Sequence, residues 1–411
     1  MEIVYSRCCG LDVHKETVVA CLLIREGGKV RREVRTFRAM TSDLLTLHDW
    51  LMAHEVTHVA MESTGVYWKP VFNLLEGSFT VLLVNAAHIK AVPGRKTDVK
   101  DCEWITDLLS HGLLKGSFIP PEPIRDLRDL TRYRKSLTDE RAREVNRLQK
   151  LLESANIKLS SVASDVMGVS GRGMLEFLLE GKTDPETLAD LARGKLRKKL
   201  PLLREALHGR FRPHHRFLLE QILSHIDFLD EAIESVSKEV ENRIAPFLKE
   251  IELLKTMTGV KQRVAENMIS EIGVDMSPFP THRHAAAWGG MCPANHESAG
   301  KRKAGKTRKG DRWLKRFLIE AAWSVSRAQG TYLCALYHRI ARRRGKKKAA
   351  GAVAHAILVI AYHILKDKVP YHDLGSDHFD RLNRTYIQRH LVKRLEGLGY
   401  KVTIEPLQLA T

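Results

Sequence analysis

The segment 219–240 has the apolar spacing of a long helix that packs along another helix. Its apolar residues recur at alternating steps of three and four, which places them on one side of a helix. They are Leu219, Ile222, Ile226, Leu229, Ile233, Val236 and Val240. A second segment, 125–158, is rich in charge, free of glycine and proline, and has leucines at helical spacing. We therefore expect a coiled coil or a long helical hairpin, with the two helices paired either within one chain or between two chains.

The first 120 residues alternate short apolar runs with helical segments. The stretch GLDVHKETVVACLLI has the pattern of a strand, a polar turn and a returning strand. The apolar runs HVAM and FTVLLVN follow, separated by a helical segment from about Tyr67 to Glu76. Such alternation is typical of an α/β domain with a partly parallel sheet. The segment PPEP at 120–123 ends regular structure and marks a domain boundary.

The rest of the chain is predicted to be mainly α-helical. The stretch LLKTMTGVKQRVAENMISEIG reads as two helices joined by a glycine turn, as in a helix-hairpin-helix element. Two later helical stretches, WLKRFLIEAAWSVSRAQ and AAGAVAHAILVIAYHILKD, are separated by the basic run RIARRRGKKK. The predicted division is an α/β domain at 1–122, an all-α coiled-coil region at 123–248, a mainly α-helical C-terminal domain at 249–370 and a C-terminal tail at 371–411.

The positive charge of the chain is concentrated in one quarter of it. Residues 249–350 contain 22 Lys or Arg and 8 Asp or Glu, which accounts for +14 of the net +18, whereas residues 1–120 contain 14 of each sign. A domain that binds a polyanion concentrates charge in this way. Because no apolar run is long enough to span a membrane and the first residues lack a signal pattern, we expect an intracellular protein with no membrane partner.

Four carboxylates of the first domain form a candidate metal site. Asp12 lies in the apolar strand CCGLDVH, and Glu62 ends the apolar run VAME beside a glycine turn. Asp98 and Asp101 are three residues apart in GRKTDVKDCEWI and would share one face of a helix. Carboxylates that converge above a sheet can bind Mg²⁺, which stabilises the attacking and leaving oxygens in phosphoryl transfer. Any one aspartate taken alone is more often a helix cap or a surface charge, although the apolar neighbours of Asp12 argue against that reading for it.

A glycine-rich basic loop is the second candidate site. In PANHESAGKRKAGKTRKGDRWLKRF, nine Lys or Arg and one Asp lie between positions 301 and 316, and Ser298 precedes them. Cations and backbone N–H groups can bind a phosphodiester, and a serine activated by its neighbours can attack it. The alternative for Ser298 is a helix cap or a loop hydrogen bond. The candidate nucleic-acid-binding residues are Gly300, Lys301, Arg302, Lys306, Arg308, Lys309 and Arg312.

Two blocks of the sequence resemble a known family. GLDVHKE, AMESTGVYW, GRKTDVKDCEWI and GLLKGSFIPPE are similar to the RuvC-like domain of the DEDD transposases of bacterial insertion sequences, the one-ten family. The block from TMTGVKQRVAENMISEIG to AAWGGMCPANHESAGKRKAGKTRKGDRWLKRFLIEAA resembles the C-terminal transposase domain of that family. The two blocks occur in the family's order, with a helical region between them.

The resemblance implies an RNase H-like fold for the first domain and a DNA recombinase of the bacterial cytoplasm. It assigns Mg²⁺ binding to Asp12, Glu62, Asp98 and Asp101, and it makes Ser298 the nucleophile that forms a covalent link with DNA. It also implies guidance by a structured non-coding bridge RNA that pairs with donor and target DNA. Finally, it implies dimers and tetramers in which the acidic domain of one chain meets the serine domain of another.

We therefore predict an insertion-sequence transposase that cuts and rejoins DNA with Mg²⁺ and a covalent serine–DNA intermediate. Two alternatives remain open. One is a hydrolytic, Mg²⁺-dependent nuclease of the Holliday-junction-resolving type, in which water attacks and Ser298 only positions the phosphate. The other is a non-catalytic scaffold that binds nucleic acid through its basic domain and long helices.

Overall fold

The structure, a computed structural model, describes residues 3–63, 65–85, 101–292, 297–298, 300–302, 307, 310–382 and 384–405, with 297–298 and 301–302 described by their backbone alone. The chain forms two compact units, Met1–Ile119 and Pro120–Thr411, which we call unit 1 and unit 2.

Unit 1 contains a mixed five-stranded sheet. Its strands are β1 (Arg7–Val13), β2 (Thr17–Glu26), β3 (Lys29–Arg38), β4 (His58–Glu62) and β5 (Thr80–Val84). Its helices are α1 (Thr41–Ala53), α2 (Trp68–Leu75) and α3 (Asp101–Ser110). The strand order is β3-β2-β1-β4-β5. Strands β1, β2 and β3 pair antiparallel, while β1–β4 and β4–β5 pair parallel. The predicted α/β domain with a partly parallel sheet is confirmed.

Both faces of the central strand β1 are covered. Cys9, Leu11 and Val13 lie in the larger apolar core, which also contains the buried residues of α1 and α2. Cys8 lies in a second core together with Ala60 and the buried leucines of α3. Because side chains alternate along a strand, Gly10 and Asp12 share the face of Cys8. This face, covered by α3, is the one that matters for the candidate site.

Unit 2 is mainly helical, apart from two strands of two residues, β6 (Glu297–Ser298) and β7 (Lys301–Arg302). Its first helices are α4 (Glu122–Ser154), α5 (Leu159–Val162), α6 (Val169–Leu179), α7 (Pro185–Asp190), α8 (Leu200–Leu207) and α9 (Pro213–Ile244). Those that follow are α10 (Leu248–Lys255), α11 (Gln262–Ile272), α12 (His282–Trp288), α13 (Arg312–Val325), α14 (Tyr332–Arg344), α15 (Lys346–Asp367), α16 (His378–Leu382) and α17 (Arg384–Glu396).

The two long helices α4 and α9 pack on each other within one chain. Leu137 of α4 contacts Leu229 and Ile233 of α9, two members of the predicted apolar seam. Arg141 forms an ion pair with Asp230, and Arg243 near the end of α9 binds Asp126 near the start of α4. Such pairings require antiparallel helices. The structure therefore has the within-chain helical hairpin, and pairing between chains stays a prediction. The short helices between α4 and α9 form a small apolar module with the adjoining ends of both.

The last large helix, α15, is long and apolar enough to cross a membrane by length and composition. Its apolar residues, however, are buried within unit 2, where α15 packs against α13 and α14. We therefore assign α15 to the core of unit 2. The basic run expected between two helices is itself helical: Arg342, Arg343 and Arg344 end α14, and three lysines begin α15. Only Gly345 interrupts the helices, because Arg and Lys are good helix formers and glycine is not.

Candidate active site

Asp12 and Glu62 lie side by side on neighbouring parallel strands. Leu11 of β1 pairs with Met61 of β4, so the next positions along the two strands are Asp12 and Glu62. Glu62 also pairs with Val84 of β5, which faces the core under α3. Both carboxylates therefore lie at the carboxyl ends of their strands and on the face covered by α3.

Helix α3 approaches this face closely at Gly10. A Cβ atom at Gly10 would lie 2.5 Å from the carbonyl oxygen of Cys102 and 2.5 Å from the Thr106 hydroxyl, so only glycine permits this packing. The Gly10 N–H donates to Thr106 Oγ1 over 2.9 Å, and that hydroxyl is 3.0 Å from the carbonyl oxygen of Cys21 and 2.7 Å from that of Cys102. Thr106 is fully buried and connects α3 to β1 and β2.

The first turn of α3 brings Asp101 to the same end of the sheet. Asp101 begins the helix and precedes Cys102, which contacts β1 two residues before Asp12. The pKa of the Cys102 thiol is raised to about 11, mainly by burial. The neighbouring Cys21, and then the negative charges of Glu103 and Asp12, raise this pKa further. The charge of Asp12 thus acts directly on the residue that follows Asp101. Three predicted carboxylates share one face and one edge of the sheet; the fourth, Asp98, lies outside the described residues.

The electrostatic surroundings of these carboxylates suit a cation. Asp12 is 27% exposed, and Asp12 Oδ2 is 3.1 Å from Nε2 of His14, two residues further along the chain. Within the described part of unit 1, no Lys or Arg forms an ion pair with Asp12, Glu62 or Asp101. No three His, Cys, Asp or Glu side chains among the described residues form a ready metal-binding group. The donor chemistry fits Mg²⁺, which favours carboxylate oxygens and keeps several waters.

Ser298 lies in a short hairpin of unit 2. Strands β6 and β7 pair Ser298 with Lys301, and Gly300 between them has a positive φ of 72°, a conformation that favours glycine. The backbone of Ser298, Lys301 and Arg302 is described, whereas Lys306, Arg308 and Lys309 lie outside the described residues. Arg312 begins α13, is exposed, and its guanidinium lies 5.3 Å from the ring centre of Trp313.

The segment between α12 and α13, residues 289–311, contains Ser298, and we call it the serine loop. Its two ends are in contact with each other. A Cβ atom at position 310 would overlap the backbone of Gly290 and of Trp288. Only glycine at this position therefore allows the two chain segments to come into contact. The Asp311 N–H donates to the carbonyl oxygen of Trp288 over 3.3 Å. Helices α12 and α13 therefore fix both ends of the segment that contains Ser298.

A buried ionic network fixes the C-terminal end of the loop. Asp311 Oδ1 accepts from the backbone N–H groups of Trp313 and Leu314, both 2.8 Å away, and so caps α13. Its other oxygen accepts from Arg132 of α4 over 3.0 Å. Arg132 also makes two hydrogen bonds of 2.8 and 2.7 Å to the carboxylate of Glu271, which is fully buried. Helix α4 is thereby connected to the end of the serine loop.

Sequence reasoning did not single out this network. Glu271 of this network and the nearby Glu266 lie in α11, where every residue from Ala265 to Ile272 is buried. Arg134 pairs with Glu266 over 2.7 Å, and both side chains are almost completely buried. Two acids in a short helix that also carries regularly spaced apolar residues, together with an arginine-rich helix elsewhere in the chain, were a usable signal, because buried charges require partners.

Comparison with known proteins agrees with this architecture. A family profile for the DEDD domain of IS110 elements, described as Transposase, matches residues 9–157, and a second, described as Transposase IS116/IS110/IS902 family, matches residues 251–338. The curated Probable family 20 transposase of Pseudomonas aeruginosa is 24% identical over 273 residues, which are 66% of this chain and 71% of that protein. The two matched segments contain the carboxylates of unit 1 and the serine loop of unit 2. The chain therefore belongs to the IS110 family of insertion-sequence transposases.

Proposed function

We propose that this transposase cuts and rejoins DNA through a covalent intermediate between Ser298 and the DNA. Transposases act on DNA by cleaving and rejoining it, so the proposal concerns the groups that perform the chemistry. The observation that most supports it is the arrangement in unit 1, where Asp12, Glu62 and Asp101 share one face and one edge of the sheet. Carboxylate oxygens are the ligands that Mg²⁺ prefers, and this ion stabilises the oxygens that react in phosphoryl transfer.

Asp12, Glu62, Asp98 and Asp101 are proposed to hold Mg²⁺. When bound, Mg²⁺ supplies electrostatic stabilisation to the oxygens of the reacting phosphodiester. The strand order β3-β2-β1-β4-β5, with an antiparallel half and a parallel half, supports an RNase H-like fold for unit 1. The contacts of Gly10 and Thr106 support this proposal, because they hold α3, which begins at Asp101, against β1, which contains Asp12.

Ser298 is proposed as the nucleophile. Its hydroxyl loses a proton and forms an ester bond to phosphorus, while the bond from phosphorus to one sugar oxygen breaks and that oxygen takes up a proton. The number of phosphoester bonds is unchanged, so a later attack by a DNA hydroxyl can reverse the exchange and release Ser298 without an external energy source. The contact of Gly310 with Gly290 and the capping of α13 by Asp311 support the proposal, because they fix the two ends of the segment that contains Ser298.

The basic residues of the loop are proposed to bind phosphates of the scissile DNA or of a guide RNA. They are Gly300, Lys301, Arg302, Lys306, Arg308, Lys309 and Arg312. Their support is the excess of +14 in residues 249–350. A structured guide RNA and assembly into dimers or tetramers complete the proposal. Sequencing the RNA that co-purifies with the chain, expressed with its native flanking DNA, tests the guide: one structured RNA that matches the flank supports it, and heterogeneous host RNA contradicts it.

The nucleophile is tested with Ser298→Ala and a matched control, Ser324→Ala, whose serine is exposed on α13. Both proteins are incubated with donor and target DNA, the RNA that co-purifies with the chain, and Mg²⁺, and covalent protein–DNA adducts are separated under denaturing conditions. We expect the control to form adducts and recombine DNA, and Ser298→Ala to do neither while still binding DNA. Strand exchange by Ser298→Ala would show that another group attacks.

The carboxylates are tested with Asp12→Asn and the control Asp49→Asn, whose side chain on α1 is 82% exposed. We expect Asp12→Asn to remove Mg²⁺-dependent cleavage without unfolding the protein, and Asp49→Asn to keep it. The same assays separate the alternatives. Cleavage without an adduct would indicate a hydrolytic nuclease, and full insensitivity of DNA cleavage to Asp12→Asn would leave the carboxylates without a catalytic role. A scaffold would show neither adduct nor cleavage.

A further inference from the structure

The junction between α14 and α15 is a compact group of exposed cations away from the serine loop in sequence. We call it the basic junction and define it as Arg342, Arg343, Arg344, Lys346, Lys347 and Lys348, all of which are exposed. Gly345 joins the two helices with φ 84° and ψ 160°, a conformation open to glycine and strained for other residues. The six cations therefore lie within two helix ends that meet at one residue.

None of these six side chains has a carboxylate partner among the described residues. Helix α4 in the same unit provides the contrast. At least seven of its nine Lys and Arg residues form ion pairs with Asp or Glu. Cations that support the fold of unit 2 are thus neutralised within it, whereas those of the basic junction are left available to a partner.

The three lysines occupy positions that do not favour helix stability. Lys346, Lys347 and Lys348 form the first turn of α15, and no acidic residue accompanies them. The N-terminal end of a helix has a partial positive charge, so a cation there destabilises the helix. Stabilisation of the helix therefore does not explain these residues, and binding of an anion does.

The basic junction is also held in place by its surroundings. Ala349 and Ala350, which follow the lysines, are buried in the core of unit 2. The Arg339 guanidinium, one turn before the junction, lies 4.9 Å from the ring centre of Phe379. Helix α15 packs against α13, the helix that begins at the end of the serine loop. A cationic surface on a rigid support suits a rigid anionic partner.

We propose that the basic junction binds the phosphate backbone of duplex DNA outside the scissile site. The sequence RIARRRGKKKAAG contains no aromatic residue. Proteins that recognise single strands or RNA loops stack bases on aromatic side chains, whereas backbone contacts to a duplex need only cations. The proposal rests on DNA as the substrate of the family, and it is independent of Ser298 and of Mg²⁺.

The test uses the full chain with Lys346, Lys347 and Lys348 all replaced by glutamine. Removing cations from the first turn of α15 is expected to leave thermal stability equal or slightly higher, so weaker binding cannot be attributed to unfolding. The matched control replaces Lys195, Arg197 and Lys198, three exposed cations of the small helical module, by glutamine. Its net charge is therefore the same as that of the lysine variant. Affinity for a DNA duplex of unrelated sequence, and for an RNA hairpin of equal length, is measured by fluorescence anisotropy over a range of salt concentrations.

We expect the slope of log affinity against log salt for duplex DNA to become shallower by about 0.9 for each phosphate that the variant no longer neutralises, or about 2.7 for three. Between about 50 mM and 200 mM salt, the wild-type affinity would then fall about 40-fold more than that of the variant. The control is expected to keep the wild-type slope. An unchanged slope in the lysine variant, an equal change in the control, or a change confined to the RNA hairpin would each overturn the proposal.

Discussion

Glutamine at position 271 is expected to remove a large part of the pH dependence of the stability of unit 2. Glu271 is fully buried and accepts two hydrogen bonds from Arg132, while Arg128 lies 3.1 Å from the same carboxylate. Burial raises the pKa of Glu271 from 4.5 to about 7, although the hydrogen bonds from Arg132 oppose the change. The substitution keeps the shape of the side chain and removes its titration.

The direction follows from proton binding in the two states. Since the folded pKa of Glu271 lies above the unfolded value, the folded protein binds this proton more tightly than the unfolded chain. The contribution to stability is complete below about pH 4.5 and is lost as the pH rises through about 7. The difference between the folded and the unfolded pKa corresponds to about 3 kcal/mol of unfolding free energy, because each pKa unit contributes about 1.36 kcal/mol.

The assay is urea unfolding of the full chain at several pH values, followed by tryptophan fluorescence, to which Trp288, Trp313 and Trp323 of unit 2 contribute. The difference in unfolding free energy, wild type minus Glu271→Gln, is expected to fall by about 3 kcal/mol between about pH 4 and pH 8. A control variant, Glu252→Gln, changes an exposed pair with Lys255 and should keep the difference within about 0.5 kcal/mol.

One result would refute the reasoning. If the wild type gains stability relative to Glu271→Gln as the pH rises from about 4 to 8, Arg128 and Arg132 hold the carboxylate ionised in the folded protein despite its burial. The pKa of Glu271 would then be lowered by folding, and the ion pairs would dominate over desolvation.

Three further substitutions address the contacts that hold the candidate sites. Gly10→Ala places a Cβ 2.5 Å from Thr106 and should cost about 1–3 kcal/mol and reduce DNA cleavage more than DNA binding, measured by thermal unfolding and cleavage rates. Arg134→Met leaves Glu266 buried without its cation and should cost about 3–5 kcal/mol in chemical unfolding, much of which Arg134→Met with Glu266→Leu restores. Asp311→Ala removes the cap of α13 and should cost about 1 kcal/mol and slow adduct formation by Ser298.

The sequence allowed the secondary structure around the first site to be predicted in detail. The hairpin of β1 and β2, the helix near Tyr67 and the apolar strands β4 and β5 are all observed, because period-two and period-3.6 patterns are clear in them. The shared face of Asp12 and Glu62 depends on the register of β1 against β4, which strand periodicity alone does not give. The role of Gly10 could not be predicted, because a close approach of α3 depends on residues nearly 100 positions apart in the chain.

The helical two-thirds were predicted less completely. Heptad spacing identified α9 but could not decide whether its partner is α4 of the same chain, since the same apolar seam serves either arrangement. The basic run was expected as a connection between helices, yet Arg342 and Lys346 lie in helices that meet at Gly345. The network of Arg132, Glu271 and Asp311 depends on three separate segments and is visible only in the fold.

Helix α4 belongs to two groups of contacts, and this limits how the chain can change in length. Near its start it binds α11 and α13 through Arg132 and Arg134, and near its end Leu148 packs in the small helical module. One residue inserted between them, for example after the exposed Ala142, would rotate the distal half by about 100° and advance it by about 1.5 Å. The ion-pairing residues near the start of α4 and the apolar residues near its end could then no longer face their partners at the same time. Length variation among related transposases is therefore expected in the loops around the small module. Within α4 it is expected only in steps of about seven residues, because seven residues make close to two helical turns and return each side chain to nearly the same side of the helix.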